Sequence, residues 1–379
     1  MPPFYTIKTI TNIAQALTLE QEWRLLTEAN GERKDNLQCF MSWEWLSQWL
    51  HTYQTYIVEL KIICIMKNDE CIAIAPFYIR LDTTLGIKFK AFSLIATNEP
   101  EICEVASEFI DIAYQDQYKQ KIIELLTCQL SSITNIHQFN FKELNKHSLM
   151  YAICKELQSK LTAYEEHITG HQYYINMKDA DPYSASFLKK KKRTLNRFEK
   201  ISTYQQAKFI IASDEIQASE LFEQLITLHQ QRWENKSQPG VFSSAAFYSF
   251  HKNFIRQNIN KGSVVLSAIK IDDKIISVNY AIKWQNALYF YQSGIDECYK
   301  PNLSPGLLNH LFVIQYCKEQ GIQEYNLLKS SKTDYKSQFS QQGDELINIT
   351  MLSSNKFNWF WLALYRAKLS LKHLLKLLR

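Results

Sequence analysis

Residues 286–319 have the sequence NALYFYQSGIDECYKPNLSPGLLNHLFVIQYCKE. A run of apolar and aromatic residues predicts a strand over 287–293, and the apolar periodicity after Gly306 predicts a helix over 307–320. The first turn of such a helix has backbone N–H groups without helical partners and the positive end of the helix dipole. These residue types predict a phosphate or pyrophosphate site, although Pro305 and Gly306 are also common at an ordinary helix start.

The elements around this stretch are typical of an α/β fold with hairpins. We expect helices at 213–235 and 244–260 and strands at 263–271 and 274–283 before it, and a strand at 324–328 after it. The first half has a similar order of elements, without sequence identity to the second, which predicts a duplicated fold. The predicted elements of the first half are helices at 12–29 and from Ser42, strands at 60–66, 71–80, 88–96 and 108–114, a helix at 117–130, a strand at 137–141 and a helix at 148–161. A strand over 164–177 follows, and a helix over 184–202 opens the second half.

The length and composition favour two folded domains. At 379 residues the chain is too long for one ordinary core, and 46% hydrophobic residues with only nine glycines exclude a disordered or fibrous chain. We place the domains at 1–165 and 166–350. Residues 355–379 alternate apolar residues with lysine and arginine, which predicts a separate basic amphipathic helix.

The sequence predicts a cytoplasmic protein. The eight cysteines include no C-x-x-C pair, and most lie in apolar stretches, which is typical of reduced core thiols. The N-terminal residues do not resemble a signal peptide, and the longest apolar uncharged run, Phe357–Tyr365, is too short to span a bilayer. The amphipathic helix leaves open a peripheral contact with the inner membrane face.

Several short motifs lie in one order along the chain. They are FMSWEWL at 40–46, IAIAP at 72–76, LHQQRW at 228–233, LYFYQSGID at 288–296, SPGLL at 304–308, GIQEYNLLK at 321–329 and DYKSQF at 334–339. Together they resemble the double-domain branch of the GNAT superfamily, in which CelD-like (BioF-like) acetyltransferases are related to Fem-type aminoacyltransferases. The resemblance implies two tandem GNAT-like domains, each a mixed, mostly antiparallel sheet flanked by helices, with the first domain on the acceptor side.

The resemblance also implies a reaction. An acyl group, expected here to be acetyl, moves from acetyl-CoA or another acyl-CoA to an amine or hydroxyl of a small or sugar-like acceptor, as in polysaccharide or envelope synthesis. The superfamily's usual pyrophosphate motif, R/Q-x-x-G-x-G/A, is absent, since residues 303–308 supply one glycine. Two alternatives therefore stay open: a Fem-type transferase that uses aminoacyl-tRNA, and a non-catalytic scaffold docked on a membrane or a synthase through the C-terminal helix.

The resemblance places the acyl-CoA between two splayed parallel strands and on the following helix start. Lys336 matches a lysine near the reacting carbonyl, where a fixed cation stabilises a developing oxyanion, unless it is a surface lysine. Tyr335 and Tyr291 are candidate proton relays or wall residues, and Asp296 is a candidate general base or a capping carboxylate. The residues that match the donor-binding positions are Tyr291, Gln292, Ser293, Leu303, Ser304, Gly306, Leu307 and Leu308.

A dense positive cluster lies at 189–200, although the net charge of the chain is only +5. On a helix these side chains form either a solvated face or a site for an anionic acceptor, such as a nucleotide-linked sugar, an acidic polysaccharide precursor or tRNA. Arg232 and Trp233 match the family helix that follows, with packing of the tryptophan as the alternative. The candidate acceptor-binding residues are therefore Lys192, Arg193, Arg197, Arg232 and Trp233.

No metal site is expected. His167 and His171 have H-x-x-x-H spacing, but Gly170 and the strand-like surroundings do not favour the helix that would aim both rings at one ion. The motifs of serine hydrolases, P-loop NTPases and dinucleotide-binding proteins are also missing from the sequence. The sequence therefore does not favour a hydrolase or an NTPase.

Overall fold

The computed structural model describes residues 4–29, 32–33, 37–84, 86–178, 185–299, 303–330 and 335–352. The described residues divide into two compact units, the first containing those up to Thr169 and those from Glu345 to Leu352, and the second those within Gly170–Asp344. The division falls at 169/170 in place of the predicted 165/166. Residues 346–350 belong with the first unit because they pair with one of its strands. The helix predicted at 355–379 lies outside the described residues.

The first unit is a mostly antiparallel sheet with helices packed on it. Its strand order is β1, β4, β5, β6, β8, with β7 on β5 and with β2 and β3 as a separate pair. Among the described strands of this unit, β6 and β8 are the one parallel pair. The helices are α1 (Ile13–Ala16), α2 (Glu20–Thr27), α3 (Trp43–Thr52), α4 (Lys119–Ser131) and α5 (Leu149–Leu157), and the strands are β1 (Tyr5–Ile10), β2 (Glu28–Ala29), β3 (Glu32–Arg33), β4 (Glu59–Lys67), β5 (Glu70–Thr84), β6 (Ile87–Leu94), β7 (Ala113–Tyr114) and β8 (Gln138–Asn145).

The second unit repeats this strand order. Its elements are α6 (Ala185–Ser202), β10 (Ala207–Ile211), α7 (Glu215–Glu234), α8 (Ala245–Asn258), β11 (Val264–Ile271), β12 (Lys274–Trp284), β13 (Ala287–Ile295), α9 (Pro305–Glu319) and β14 (Glu324–Ser330). Two strands cross the division between the units: β9 (Ala163–Asn176) lies in the second unit from Gly170 onward, and β15 (Gln341–Leu352) lies in it up to Asp344. The order is β10, β11, β12, β13, β14, β9, and in the part of this unit that the structure describes β13 and β14 are the one parallel pair. In the first unit, residues 346–352 of β15 pair antiparallel with β8, as β9 pairs with β14 here. Each sheet therefore runs through hairpin strands to one parallel pair and ends on an antiparallel strand.

Local sequence explains where several elements begin. The side chains of Ser42, Asp214 and Ser244 accept backbone N–H groups at the starts of α3, α7 and α8, as N-cap residues do. Between β4 and β5, Asn68 and Asp69 have φ values of 47° and 69°. The polar turn predicted for this hairpin is thus built from two left-handed residues, which match the twist of the strands it joins.

The 95–112 segment differs in structure from the strand predicted within it. The prediction of a strand over 108–114 is wrong except for Ala113–Tyr114, which pair with β5. The segment is a mostly buried loop in which Ala96, Asn98, Ala106 and Phe109 have positive φ values. A buried loop selects apolar residues as a strand does, so its composition resembles that of a strand.

The 95–112 segment also fills a gap in the first sheet. β6 and β8 pair only at two positions, the last of which is Phe92↔Phe139. We call the region beyond it, between the end of β6 and residues 140–145 of β8, the first-unit fork. In it, Asn98 Nδ2 donates to Asn140 O over 3.0 Å and the Phe109 N–H donates to Glu143 O over 2.8 Å. The unit's own chain therefore occupies this edge of β8.

Candidate active site

The second sheet has a corresponding gap between β13 and β14. These strands pair in parallel at three positions, the last of which is Tyr289↔Asn326. Beyond it the register of β14 against β9 shifts between Asn326 and Leu328. Leu328 has a φ of 60°, and its N–H donates to Asn326 Oδ1 over 2.9 Å. In the described chain no pairing joins 290–295 of β13 to 327–330 of β14. We call the space where they diverge the second-unit fork.

Helix α9 begins beside this fork. Pro305 is its first residue, and Ser304 before it has a left-handed φ of 54° and, within the described residues, makes no side-chain capping hydrogen bond. The Leu308 N–H donates to Ser304 O over 3.0 Å, so the N–H groups of Gly306 and Leu307 precede the first helical bond. Together with the helix dipole, they form a site suited to an anion.

The side chains at this helix start are packed into the protein. A Cβ on Gly306 would lie 2.6 Å from Ile295 Cδ1, so α9 begins directly against the end of β13. Leu303 and Leu308 belong to one buried cluster with the β11 isoleucines, and Leu307 belongs to another. Of the predicted donor-binding residues, these leucines can therefore offer a ligand only their backbone groups.

The other predicted donor-binding residues lie along β13. The Tyr291 ring packs 4.7 Å from the His251 ring of α8, and Gln292 Oε1 accepts the Ser293 N–H over 3.0 Å. Ser293 lies opposite Asn279 of β12 in the sheet register. Asn279 is buried, and among the described residues neither polar atom of its side chain has a hydrogen-bond partner. A buried amide with unused hydrogen-bonding capacity thus adjoins β13.

Lys336 lies at the base of the second-unit fork. Its Nζ donates to Leu327 O over 2.8 Å and to Lys329 O over 3.4 Å. It also lies 5.5 Å from the centroid of the Phe290 ring. Leu327 and Phe290 are the first residues of β14 and β13 beyond their parallel pairing. The structure therefore holds a fixed positive charge where the two strands separate.

A buried histidine joins two tyrosines beside Lys336. His310 Nδ1 lies 2.8 Å from Tyr325 Oη, and His310 Nε2 lies 3.2 Å from Tyr335 Oη. Burial and the nearby Lys336 charge lower the pKa of His310 to about 3, so the imidazole is neutral at physiological pH. The structure thus brings together Tyr335 and Lys336, two predicted catalytic residues, and adds His310.

Sequence reasoning missed His310 and Tyr325. His310 directly follows Asn309 in α9, and these two polar residues interrupt an otherwise apolar helix start. Asn309 is buried and bonds Ser267 over 2.8 Å, which ties α9 to β11. Polar residues on the buried face of a helix need partners, and that requirement is the signal that could have identified His310.

Asp296 has other partners. Its Oδ2 lies 2.6 Å from Lys274 Nζ, and its Oδ1 accepts the Cys298 N–H over 3.0 Å. The side chain is only 10% exposed. These contacts fit the capping carboxylate that the sequence left as the alternative to a general base.

The end of α7 is tied to the loop after β13. Arg232 Nε lies 2.9 Å from Glu297 Oε1, and Trp233 Nε1 donates to His229 Nε2 over 2.9 Å. Burial lowers the pKa of His229 to about 4, so it is a neutral acceptor. The Lys236 ammonium lies 5.3 Å from the centroid of the Trp233 ring. For Arg232 and Trp233, these contacts fit the packing alternative.

The basic helix α6 lies next to the turn that carries Tyr335 and Lys336. Lys190 Nζ donates to Gln338 Oε1 over 3.3 Å, and the Phe187 ring stacks on Phe339 at 5.3 Å. The predicted acceptor-binding cations on this helix are Lys192 and Arg193, which are exposed, and Arg197, which is half-buried.

Gly294 sets how closely α7 approaches β13. A Cβ at this position would lie 2.5 Å from Leu225 O and 2.9 Å from Leu228 Cβ of α7. We expect Gly294→Ala to lower the free energy of unfolding by about 1–3 kcal/mol through overpacking, measured by urea denaturation. Ser293→Ala, the half-buried neighbour, is the control and should change it little. An unchanged value for Gly294→Ala would contradict this packing.

The described residues contain no group of three or more His, Cys, Asp or Glu side chains that could hold a metal ion. His167 contacts Glu165, and His171 contacts Gln342. The helices of the described chain also lack the length and hydropathy that a membrane span requires.

Residues 185–337 match the family model described as an acetyltransferase (GNAT) domain. The solved structure of FemX is 9% identical and covers 91% of this chain and 96% of its own, with a TM-score of 0.58. L-PGS from Bacillus licheniformis is 10% identical and covers 91% of this chain and 96% of its own, with a TM-score of 0.51. A search of curated proteins gives no match.

The match and the shared fold confirm the predicted fold class, a mixed α/β chain with two tandem GNAT-like sheets flanked by helices. The matched residues contain α6, the second-unit fork, α9 and the turn with Tyr335 and Lys336. Residues 185–337 therefore match the acetyltransferase (GNAT) domain model, and the chain as a whole shares its fold with FemX and L-PGS.

Proposed function

We propose that this chain is an acyltransferase that binds acyl-CoA in the second-unit fork. It moves the acyl group, acetyl in the simplest case, to an amine or hydroxyl of a small or sugar-like acceptor. The observation that carries this proposal is the divergence of β13 and β14 beside the start of α9, with Lys336 at the base of the fork.

Donor binding would use backbone groups. The N–H groups of Gly306 and Leu307 suit a pyrophosphate, because they precede the first helical bond of α9. The pantetheine arm carries amides, which can form hydrogen bonds with backbone groups on the edge of β13 that faces the fork. Backbone recognition also accounts for the missing second glycine of the usual motif, since the leucines around Gly306 already point into the core.

The chemistry would be direct transfer. The acceptor nitrogen or oxygen attacks the thioester carbonyl, and the Lys336 ammonium stabilises the oxyanion that forms. When the C–S bond breaks, Tyr335 gives its phenol proton to the sulfur, and the proton released by the acceptor restores the phenol. The products are the acylated acceptor and free CoA thiol.

The acceptor is proposed to be anionic. Lys192, Arg193 and Arg197 lie on α6, whose neighbour Lys190 bonds to Gln338 beside the two catalytic candidates. A phosphate or carboxylate on the acceptor would pair with these cations. A nucleotide-linked sugar or an acidic polysaccharide precursor, in the cytoplasm or at the inner membrane face, has this chemistry.

One donor per chain is expected. The first-unit fork is filled by the 95–112 segment, whose Asn98 and Phe109 bond to the edge of β8. Calorimetric titration with acetyl-CoA should therefore give a stoichiometry near one. Gly306→Trp should abolish binding, because a side chain there meets Ile295 at the helix start, whereas Asn98→Ala in the first unit should leave it unchanged.

Absence of binding at millimolar acetyl-CoA would overturn the proposed donor. If aminoacyl-tRNA then bound with a steep dependence on salt concentration, the Fem-type alternative would replace it. Equal loss of binding in the Gly306 and Asn98 variants would argue that the site is not the second-unit fork.

A further inference from the structure

The hydrogen bonds of the buried Tyr325 hydroxyl determine which nitrogen of His310 carries the proton. Tyr325 is 0% exposed, and His310 Nδ1 is the partner of its hydroxyl among the described residues. A buried hydroxyl proton without an acceptor carries the full cost of desolvation. Tyr325 therefore donates to Nδ1. A neutral imidazole that accepts at Nδ1 carries its proton on Nε2.

The opposite arrangement is disfavoured. If Nδ1 carried the proton and donated to Tyr325, the buried Tyr325 proton would have no acceptor among the residues that the structure describes. A doubly protonated ring is also disfavoured, because burial and Lys336 lower the pKa of His310 to about 3. Among the described residues, the titratable groups that face His310 are Tyr325 from β14, and Tyr335 and Lys336 from the turn after it. These contacts favour the neutral Nε2–H form.

We propose that His310 and Tyr325 are positioning residues for Tyr335. His310 Nε2–H donates to Tyr335 Oη, which occupies one lone pair of that oxygen and turns the phenol proton away from His310, toward the reacting thioester. This inference rests on the proposed function for its catalytic meaning. During transfer, Tyr335 gives its proton to the departing sulfur, and the resulting phenolate oxygen keeps the hydrogen bond from Nε2–H. The acceptor's proton then restores the phenol.

The tautomer can be measured without any activity. Long-range nitrogen–proton NMR of the full chain, labelled at histidine, should give His310 as a single neutral form with its proton on Nε2 from pH 5 to 8. Tyr325→Phe keeps the ring but removes the donor, so it should yield a mixture of the two neutral tautomers. A wild-type His310 protonated on Nδ1, or charged at pH 7, would overturn the inference.

A kinetic experiment tests the same inference. Acetyl-CoA is the donor, hydroxylamine is a surrogate acceptor, and the release of CoA thiol is measured. Tyr325→Phe should lower kcat about tenfold with an unchanged KM for acetyl-CoA. Because Tyr325 acts through Tyr335, adding Tyr325→Phe to Tyr335→Phe should cause no further loss, whereas a merely structural role would give additive losses. Tyr316→Phe, elsewhere on α9, is the matched control and should have no effect.

The two proposals fail differently. Failure of acetyl-CoA to bind would remove the proposed function and leave the His310 tautomer as measured. The positioning role alone would be overturned if donor binding and turnover are normal but the losses add in the Tyr325→Phe, Tyr335→Phe double variant. An unchanged His310 tautomer in Tyr325→Phe would overturn it in the same way.

Discussion

Lys336→Met is expected to lower the rate of acetyl transfer from acetyl-CoA to hydroxylamine by about 100- to 1000-fold, the usual cost of removing one oxyanion-stabilising group. The physical reason is the position of the ammonium. It is held by the carbonyls of Leu327 and Lys329 where β13 and β14 separate, so little reorganisation is needed when charge develops on the thioester oxygen. The dissociation constant of acetyl-CoA, measured by calorimetry, should change less than threefold.

Lys336 also connects its turn to β14, and this structural role has to be separated from catalysis. Lys336→Arg keeps the charge and can keep the carbonyl bonds, so its thermal unfolding should match the wild type. Its rate should recover only in part, because the planar guanidinium places its charge differently. Lys318→Met, at the exposed end of α9, is the matched control. A Lys336→Met protein that binds acetyl-CoA and turns over at the wild-type rate would contradict the role assigned to this lysine.

Glu99→Gln is expected to stabilise the protein at alkaline pH. Glu99 is buried in the 95–112 segment, where Trp49 Nε1 donates to its Oε1. Burial raises the pKa of the Glu99 carboxyl from 4.5 to about 7. Between these values the unfolded chain loses the proton while the folded protein keeps it, so stability falls as the pH rises through this window. Above pH 7 the accumulated cost is about 3 kcal/mol.

Glutamine keeps an acceptor for Trp49 and carries no charge at any pH. Urea denaturation should therefore show equal free energies of unfolding for the two proteins near pH 4.5 and a variant that is more stable by about 3 kcal/mol at pH 8. Glu101→Gln, an exposed neighbour in the same segment, is the control and should show no such difference. A Glu99→Gln variant with the same pH dependence as the wild type would show that this carboxyl does not titrate near neutrality.

The elements that build the second-unit fork could be predicted from the sequence. Strand 287–293 and the helix after Gly306 have clear periodicity and a proline at the start, and the structure has them as β13 and α9. The strand at 324–328 extends as β14 to Ser330. The catalytic role predicted for Lys336 rested on the resemblance to the family, because no local pattern distinguishes this residue from a surface lysine. Its place at the fork depends on the turn at Tyr335–Gln338.

Other features could not be predicted. β10 is a five-residue, half-buried strand at the sheet edge, too short for a clear alternation. β15 begins with Gln341, Gln342 and Gly343, which are more typical of a turn. The closure of the first-unit fork depends on non-glycine residues in left-handed conformations, such as Asn98, and these are adopted only because the surrounding core stabilises them.

A crystal structure of the full chain with acetyl-CoA tests the account most directly. It should show one donor per chain in the second-unit fork, with the diphosphate bonded to the N–H groups of Gly306 and Leu307. The thioester oxygen should lie within hydrogen-bonding reach of Lys336 Nζ, and its sulfur near Tyr335 Oη. A donor bound in the first-unit fork, or one bound outside both forks, would contradict the placement of the active site.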